Sequence, residues 1–141
     1  MSQGPETTFI NSVHAHLPKH LYRMKNHNQY NGGIADCWYS GDKRDLWVEY
    51  KYYVVPKRES SLINLVDGRS PPLSKLQQQW IAQRSAEGRN VWLIVGSKDG
   101  GVILERPWSR WNEPMTAKQF VSYLQPRKVI AERITSFCYE L

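Results

Sequence analysis

Gly33-Ile-Ala-Asp-Cys-Trp-Tyr-Ser-Gly-Asp-Lys-Arg-Asp-Leu-Trp-Val-Glu-Tyr-Lys51 holds two runs of aromatic and branched residues around a short polar break. Residues 34–39 and 46–55 have the composition of strands. Ser40 to Asp45, with Gly41, has that of a tight turn. The spacing predicts a β-hairpin. With the turn centred between Asp42 and Lys43, position 36 faces position 49. Asp36 and Glu49 then share one face, with Cβ atoms roughly 4.5–5.5 Å apart. Lys51, two residues beyond Glu49, points to that face too. A single bulge would turn one of the acids away.

Like charges placed opposite each other destabilise a sheet unless a cation lies between them. Two carboxylates with water and phosphate oxygens suit Mg²⁺, which takes few protein ligands and keeps its waters. A nearby ammonium can position an attacking water or stabilise charge on a phosphate. This geometry points to metal-assisted phosphodiester hydrolysis. The plainer reading is an ion pair between Lys51 and Glu49 on a solvated sheet face, and the residue types leave both open.

The rest of the chain sets bounds. Its 141 residues suffice for one domain with a core and hardly for two. Nineteen Lys and Arg against thirteen Asp and Glu give a charge of +6, which invites an anionic partner, nucleic acid being the commonest. No apolar run approaches the ~20 residues of a membrane span. The first residues lack the basic and apolar regions of a secretory signal. Cys37 and Cys138 lack metal-ligand spacing and fit a reducing compartment. The expected location is the cytoplasm, bacterial or that of a phage-infected host.

Pro5 and Glu6 suit the first turn of a helix. Phe9, Ile10, Val13 and Leu17 supply its apolar stripe, with Pro18 as its end. His14, His16 and His20 do not form a zinc site, because Pro18 breaks the helix that would align them. They read as surface residues beside nucleic acid. Residues 21–25 make a short strand closing on Lys25, a candidate nucleic-acid contact. The polar loop that follows holds His27 and Asn28, either nucleic-acid contacts or plain surface. The strand 46–55 should be central and buried on both sides, except at the acids.

Residues 57–72 form the longest irregular stretch. Lys57, Arg58 and Arg69 make it a nucleic-acid- or partner-contacting flap, or else a disordered insertion. Ser74 with Gln77 is a capping box. Leu76, Trp80 and Ile81 are the expected buried stripe of that helix, and Gly88 its end. Val91 to Val95 reads as an interior strand, running parallel after the helix crossover. Residues 102–105 read as its hairpin partner. Arg106, Trp108, Arg110 and Trp111 interleave as in a backbone grip, or pack as a surface loop. Thr116 opens one terminal helix, and residues 127–139 form another. The expected architecture is a single α/β domain over 1–141, with a core at about 6–105 and C-terminal helices at about 116–140. Its mixed sheet has four or five strands flanked by helices.

Asp36 followed by Glu49-Tyr50-Lys51 resembles the signature of the PD-(D/E)XK nuclease superfamily. Gly33-Ile34-Ala35-Asp36, Trp47 to Lys51, Leu73-Ser74-Lys75-Leu76-Gln77 and the strand from Asn90 resemble, in that order, its VRR-NUC and Holliday-junction-resolvase-like branch. Ala35 departs from the usual Pro. The resemblance implies a restriction-endonuclease-like core and a Mg²⁺-dependent DNA endonuclease, with Mn²⁺ able to substitute. It gives Asp36, Glu49 and the Tyr50 carbonyl to the metal, and Lys51 to the water or the phosphate charge. Glu6 and Gln77 become supporting residues; the simpler roles for these two are helix-dipole partner and cap. It further implies a homodimer acting on DNA, branched DNA included, from a phage or mobile element. General cutting, sequence-specific restriction and an inactive binding module on the same fold stay open.

Overall fold

The computed structural model describes residues 4–26, 33–69, 71–105 and 113–140. In chain order the elements are α1 (Pro5–His14), β1 (Tyr22–Lys25), β2 (Cys37–Ser40), β3 (Asp45–Tyr52), β4 (Leu62–Ile63), α2 (Lys75–Ala86), β5 (Val91–Ser97), β6 (Gly100–Leu104), β7 (Met115–Thr116), α3 (Ala117–Ser122) and α4 (Arg127–Tyr139). Five strands form a mixed sheet in the order β1-β2-β3-β5-β6, with β3 in the middle. Among the described residues only β3 and β5 run parallel. That pairing requires a crossover, and α2 supplies it.

The hairpin has the expected register. Cys37 faces Val48, and Ser40 faces Asp45, with no bulge. β2 begins three residues later than the sequence pattern suggests. Ahead of it, the N–H of Tyr50 donates to the Asp36 carboxylate at 2.8 Å, in place of a ladder bond to the neighbouring strand. β3 stops at Tyr52, although the N–H of Tyr53 still reaches the Gly96 carbonyl at 2.8 Å.

Alternation along the strands splits the core in two. On one face Cys37, Tyr39, Leu46, Val48, Tyr50, Trp92 and Ile94 pack against α1 and α4. On the other, Val91, Leu93, Val95, Val102 and Leu104 pack with Ile81 of α2, Phe120 of α3, and Ile63, Leu65 and Leu73. Both cysteines are buried and free. Burial pushes the Cys37 thiol up to about 12 and the Cys138 thiol up to about 11.

Three expectations need correction. Residues 57–72 are neither a free flap nor a disordered insertion. Leu62 and Ile63 pair with Met115 and Thr116 in a second, two-stranded sheet, and Ile63, Leu65 and Leu73 are buried. α1 ends at His14, not at Pro18; Leu17 is buried beyond it, and the Arg23 guanidinium donates to the carbonyls of His14, Pro18 and Leu21 around the helix end. Leu76 is exposed rather than part of the α2 stripe. α2 is turned so that Gln77 and Ile81 face the sheet.

Two contacts fix the layers beside the hairpin. Gly96 and Gly101 stand opposite each other on β5 and β6. Together they leave a slot for the Phe9 ring; a Cβ on Gly96 would lie 2.5 Å from it and one on Gly101 2.8 Å. The hairpin turn rests on the end of α4. The Lys43 and Arg44 N–H groups donate to the Cys138 carbonyl at 3.0 and 3.1 Å, and the Arg44 side chain reaches the Phe137 carbonyl and Glu140. Among the described residues no helix is long and apolar enough to cross a membrane. Gly96→Ala should overpack the slot and destabilise the fold by about 1–3 kcal/mol, read as a lower urea midpoint.

Candidate active site

Asp36, Glu49 and Lys51 meet where β2 begins and β3 ends, on the sheet face that α2 covers. Extending the pairing of Cys37 with Val48 by one step puts position 36 across from 49. Glu49 is 1% exposed, a rare environment for a carboxylate. Its Oε2 accepts from Gln77 Nε2 at 3.1 Å and lies 3.8 Å from Lys51 Nζ. Its Oε1 is buried with no hydrogen-bond partner among the described residues. Asp36 is held by the Tyr50 N–H, so the peptide between Glu49 and Lys51 fixes the opposing acid.

Gln77 fills both roles open to it. Its Oε1 accepts from the Ser74 N–H at 3.0 Å, which closes the capping box. Its Nε2 is left to donate to Glu49. Gly33 brings this helix start against the loop that enters β2. It has φ +95°, and a Cβ there would lie 2.5 Å from the Leu76 carbonyl oxygen, so another residue would meet both strain and a clash.

The electrostatics follow from burial. Desolvation raises the Glu49 carboxyl well above the usual carboxylate range; repulsion from Asp36 adds to this, and Lys51 opposes it. Glu6, at the start of α1, is raised by burial first and by Asp36 second, with Lys51 opposing. Glu6 is thus near enough to feel both charges. Among the described residues no three His, Cys, Asp or Glu side chains gather as a ready cluster. The donor set is two carboxylates and the backbone.

The remaining expected residues are dispersed. Lys25 is half-buried and donates to Asn11 of α1. Lys57, Arg58 and Arg69 are exposed in the segment between β3 and α2. His27 and Asn28 lie outside the described residues, as do Arg106, Trp108, Arg110 and Trp111. His14 is not a surface phosphate ligand. Its Nε2 is 2.7 Å from the Tyr39 hydroxyl, which is 2.7 Å from that of Tyr50. Burial, with Lys25 and Arg23 nearby, lowers it to about 4, so it is neutral at pH 7. This buried polar chain behind β3 escaped the sequence reading. Its only trace there is a pair of tyrosines, 39 and 50, on the inward face of the hairpin.

A five-stranded mixed sheet flanked by helices, with paired acids where two adjacent strands meet, has the restriction-endonuclease-like architecture. The fold is similar to a solved Holliday junction resolvase from the archaeal hyperthermophile Archaeoglobus fulgidus, with TM-score 0.51 and 8% identity over 89% of this chain and 99% of that one. No protein-family model matches the sequence, and no curated protein matches it.

The direction of the Glu49 shift fixes a pH dependence. A carboxyl raised above its ordinary value favours the fold below that value, and the contribution is lost as pH rises through the raised one. Without divalent metal, Glu49→Gln should therefore melt higher than wild type at pH 8. The difference should shrink toward pH 5, as calorimetric melting will show.

Proposed function

We propose that this protein is a divalent-metal-dependent DNA endonuclease of the resolvase type, hydrolysing phosphodiester bonds at Asp36, Glu49 and Lys51. The observation that supports this most is the buried Glu49 carboxyl, whose Oε1 has no hydrogen-bond partner among the described residues while Asp36 stands across from it. Ionising both acids at such a place is costly without a cation, and the pair suits Mg²⁺ or Mn²⁺. Asp36, Glu49 and the Tyr50 carbonyl would hold the ion, which when bound supplies charge neutralisation and an acidified water.

Each protein group then has a task. Gln77 orients Glu49 through Oε2 and leaves Oε1 free. Lys51, its side chain 16% exposed, sits 3.8 Å from Glu49 Oε2. It orients the attacking water and stabilises negative charge growing on the phosphoryl oxygens. Glu6 adds a third acid at the margin. The excess of basic residues, including Lys57, Arg58 and Arg69, attracts the DNA backbone. One site cuts one strand, so cutting paired strands or a four-way junction calls for a homodimer. Membership of the VRR-NUC-like branch, a phage or mobile-element origin and a cytoplasmic location belong to this same reading.

Lys51→Ala should bind DNA like wild type and lose roughly 10²–10³-fold in cleavage rate, measured on plasmid and synthetic junctions with Mg²⁺ or Mn²⁺. Binding should weaken steeply as salt rises. DNA binding by the wild type without metal-dependent cleavage of duplex, single strand or junction would favour an inactive binding module. A fixed fragment pattern would favour restriction. Mn²⁺ binding followed by calorimetry at pH 7, in buffers of different ionisation enthalpy, should release a proton from wild type and none from Glu49→Gln.

A further inference from the structure

β3 presents more than acids on the site face. Trp47, two residues before Glu49, stands opposite Trp38 of β2, with ring centroids 6.2 Å apart and planes inclined by 38°. Tyr22 of β1 meets Trp38 edge-on at 5.3 Å. Trp80 of α2 meets Trp47 edge-on at 5.4 Å. Four rings thus run from the edge strand β1 to α2 without a break. The ladder is open at its outer end, where Tyr22 is 58% exposed and Trp38 is half-buried.

The inner end is basic. Arg84 lies 5.8 Å over the Trp80 ring. With Arg89 it lines an open cavity of about 350 Å³ beside Trp47 and Trp80. Arg84 shares its charge with Glu87 at 2.9 Å, whereas the Arg89 side chain is exposed. Partly exposed aromatic faces next to cations suit a polymer that carries both flat rings and negative charge. Every nucleobase has a π-face, so stacking on such rings tolerates any sequence. Bases inside a duplex are already stacked on each other and cannot use these rings.

We propose that Tyr22, Trp38 and Trp47 form a stacking platform for unpaired nucleotides. The platform begins about 7 Å along β3 from Glu49, the length of two strand residues. Resting on the endonuclease reading above, this makes DNA with a single-stranded segment beside the scissile phosphate the favoured substrate. The phosphates of that segment run toward Arg84 and Arg89.

The test uses the full chain in EDTA, so that no cutting intervenes, with a fluorescent oligothymidine of fifteen nucleotides and a blunt duplex as probes. Oligothymidine should quench the tryptophan fluorescence of wild type. Tyr22→Ala and Trp38→Ala should each weaken its binding about tenfold, with duplex binding changed less than twofold. Circular dichroism confirms that each variant folds, and Tyr22→Ala, at an exposed position, guards against a misfolded Trp38 variant. Equal weakening toward both probes, or no binding of oligothymidine by wild type, would overturn the proposal. So would a lower sedimentation mass in the variants, because the ladder would then be a contact between two copies. A protein that binds oligothymidine in this way but never cleaves with Mg²⁺ or Mn²⁺ would keep the platform and lose the nuclease.

Discussion

A carboxylate almost out of reach of water is the constraint around which this structure is arranged. Glu49 occupies a buried position in β3, on the opposite face from its buried neighbours Val48 and Tyr50, where a strand covered on both sides would otherwise take an apolar residue. Burying an unpaired charge costs several kcal/mol, and burial with repulsion from Asp36 accordingly raises this carboxyl well above the usual carboxylate range. Gln77 and Lys51 offset part of that cost at one oxygen and leave the other without a partner. α2 is turned to deliver Gln77, and its apolar Leu76 is left in solvent as a result. The local penalty is tolerated because two apolar layers on the sheet hold β3 in place whatever Glu49 does.

Much of this was legible in the sequence. Placing the turn between Asp42 and Lys43 yields the observed register, because a short loop between two patterned strands leaves few alternatives. The same count puts Trp38 opposite Trp47, so the aromatic ladder was present in the sequence. Ring pairs are common in strands, though, and only the exposure of Tyr22 distinguishes a platform from core. The parallel course of β5 after the crossover and the start of α4 also followed from local pattern, whereas the choice of β3 as its partner did not.

What was not legible depended on distant partners. Residues 57–72 look irregular because β4 is two residues long and pairs with Met115 and Thr116, far along the chain. The rotation of α2 was hidden by a conflict at one residue, since Gln77 is at once cap and donor. His14 seemed a surface residue because its partner, Tyr39, follows only after β1 and the loop beyond it. The fold shared with the archaeal resolvase at 8% identity shows the same point. A similar fold at that identity says nothing about individual side chains, so the acids have to be argued from their own surroundings.

The seat of the hairpin on α4 has a consequence for biosynthesis. Asp36 and Glu49 leave the ribosome early, but the carbonyl that receives the turn amides belongs to Cys138. An isolated hairpin is marginal in water, and β5, which flanks β3 on its other side, is made some forty residues earlier than this seat. The strand pairing that opposes the acids is therefore available before the turn is seated. Truncation just short of residue 138 would remove the seat and leave that pairing in place.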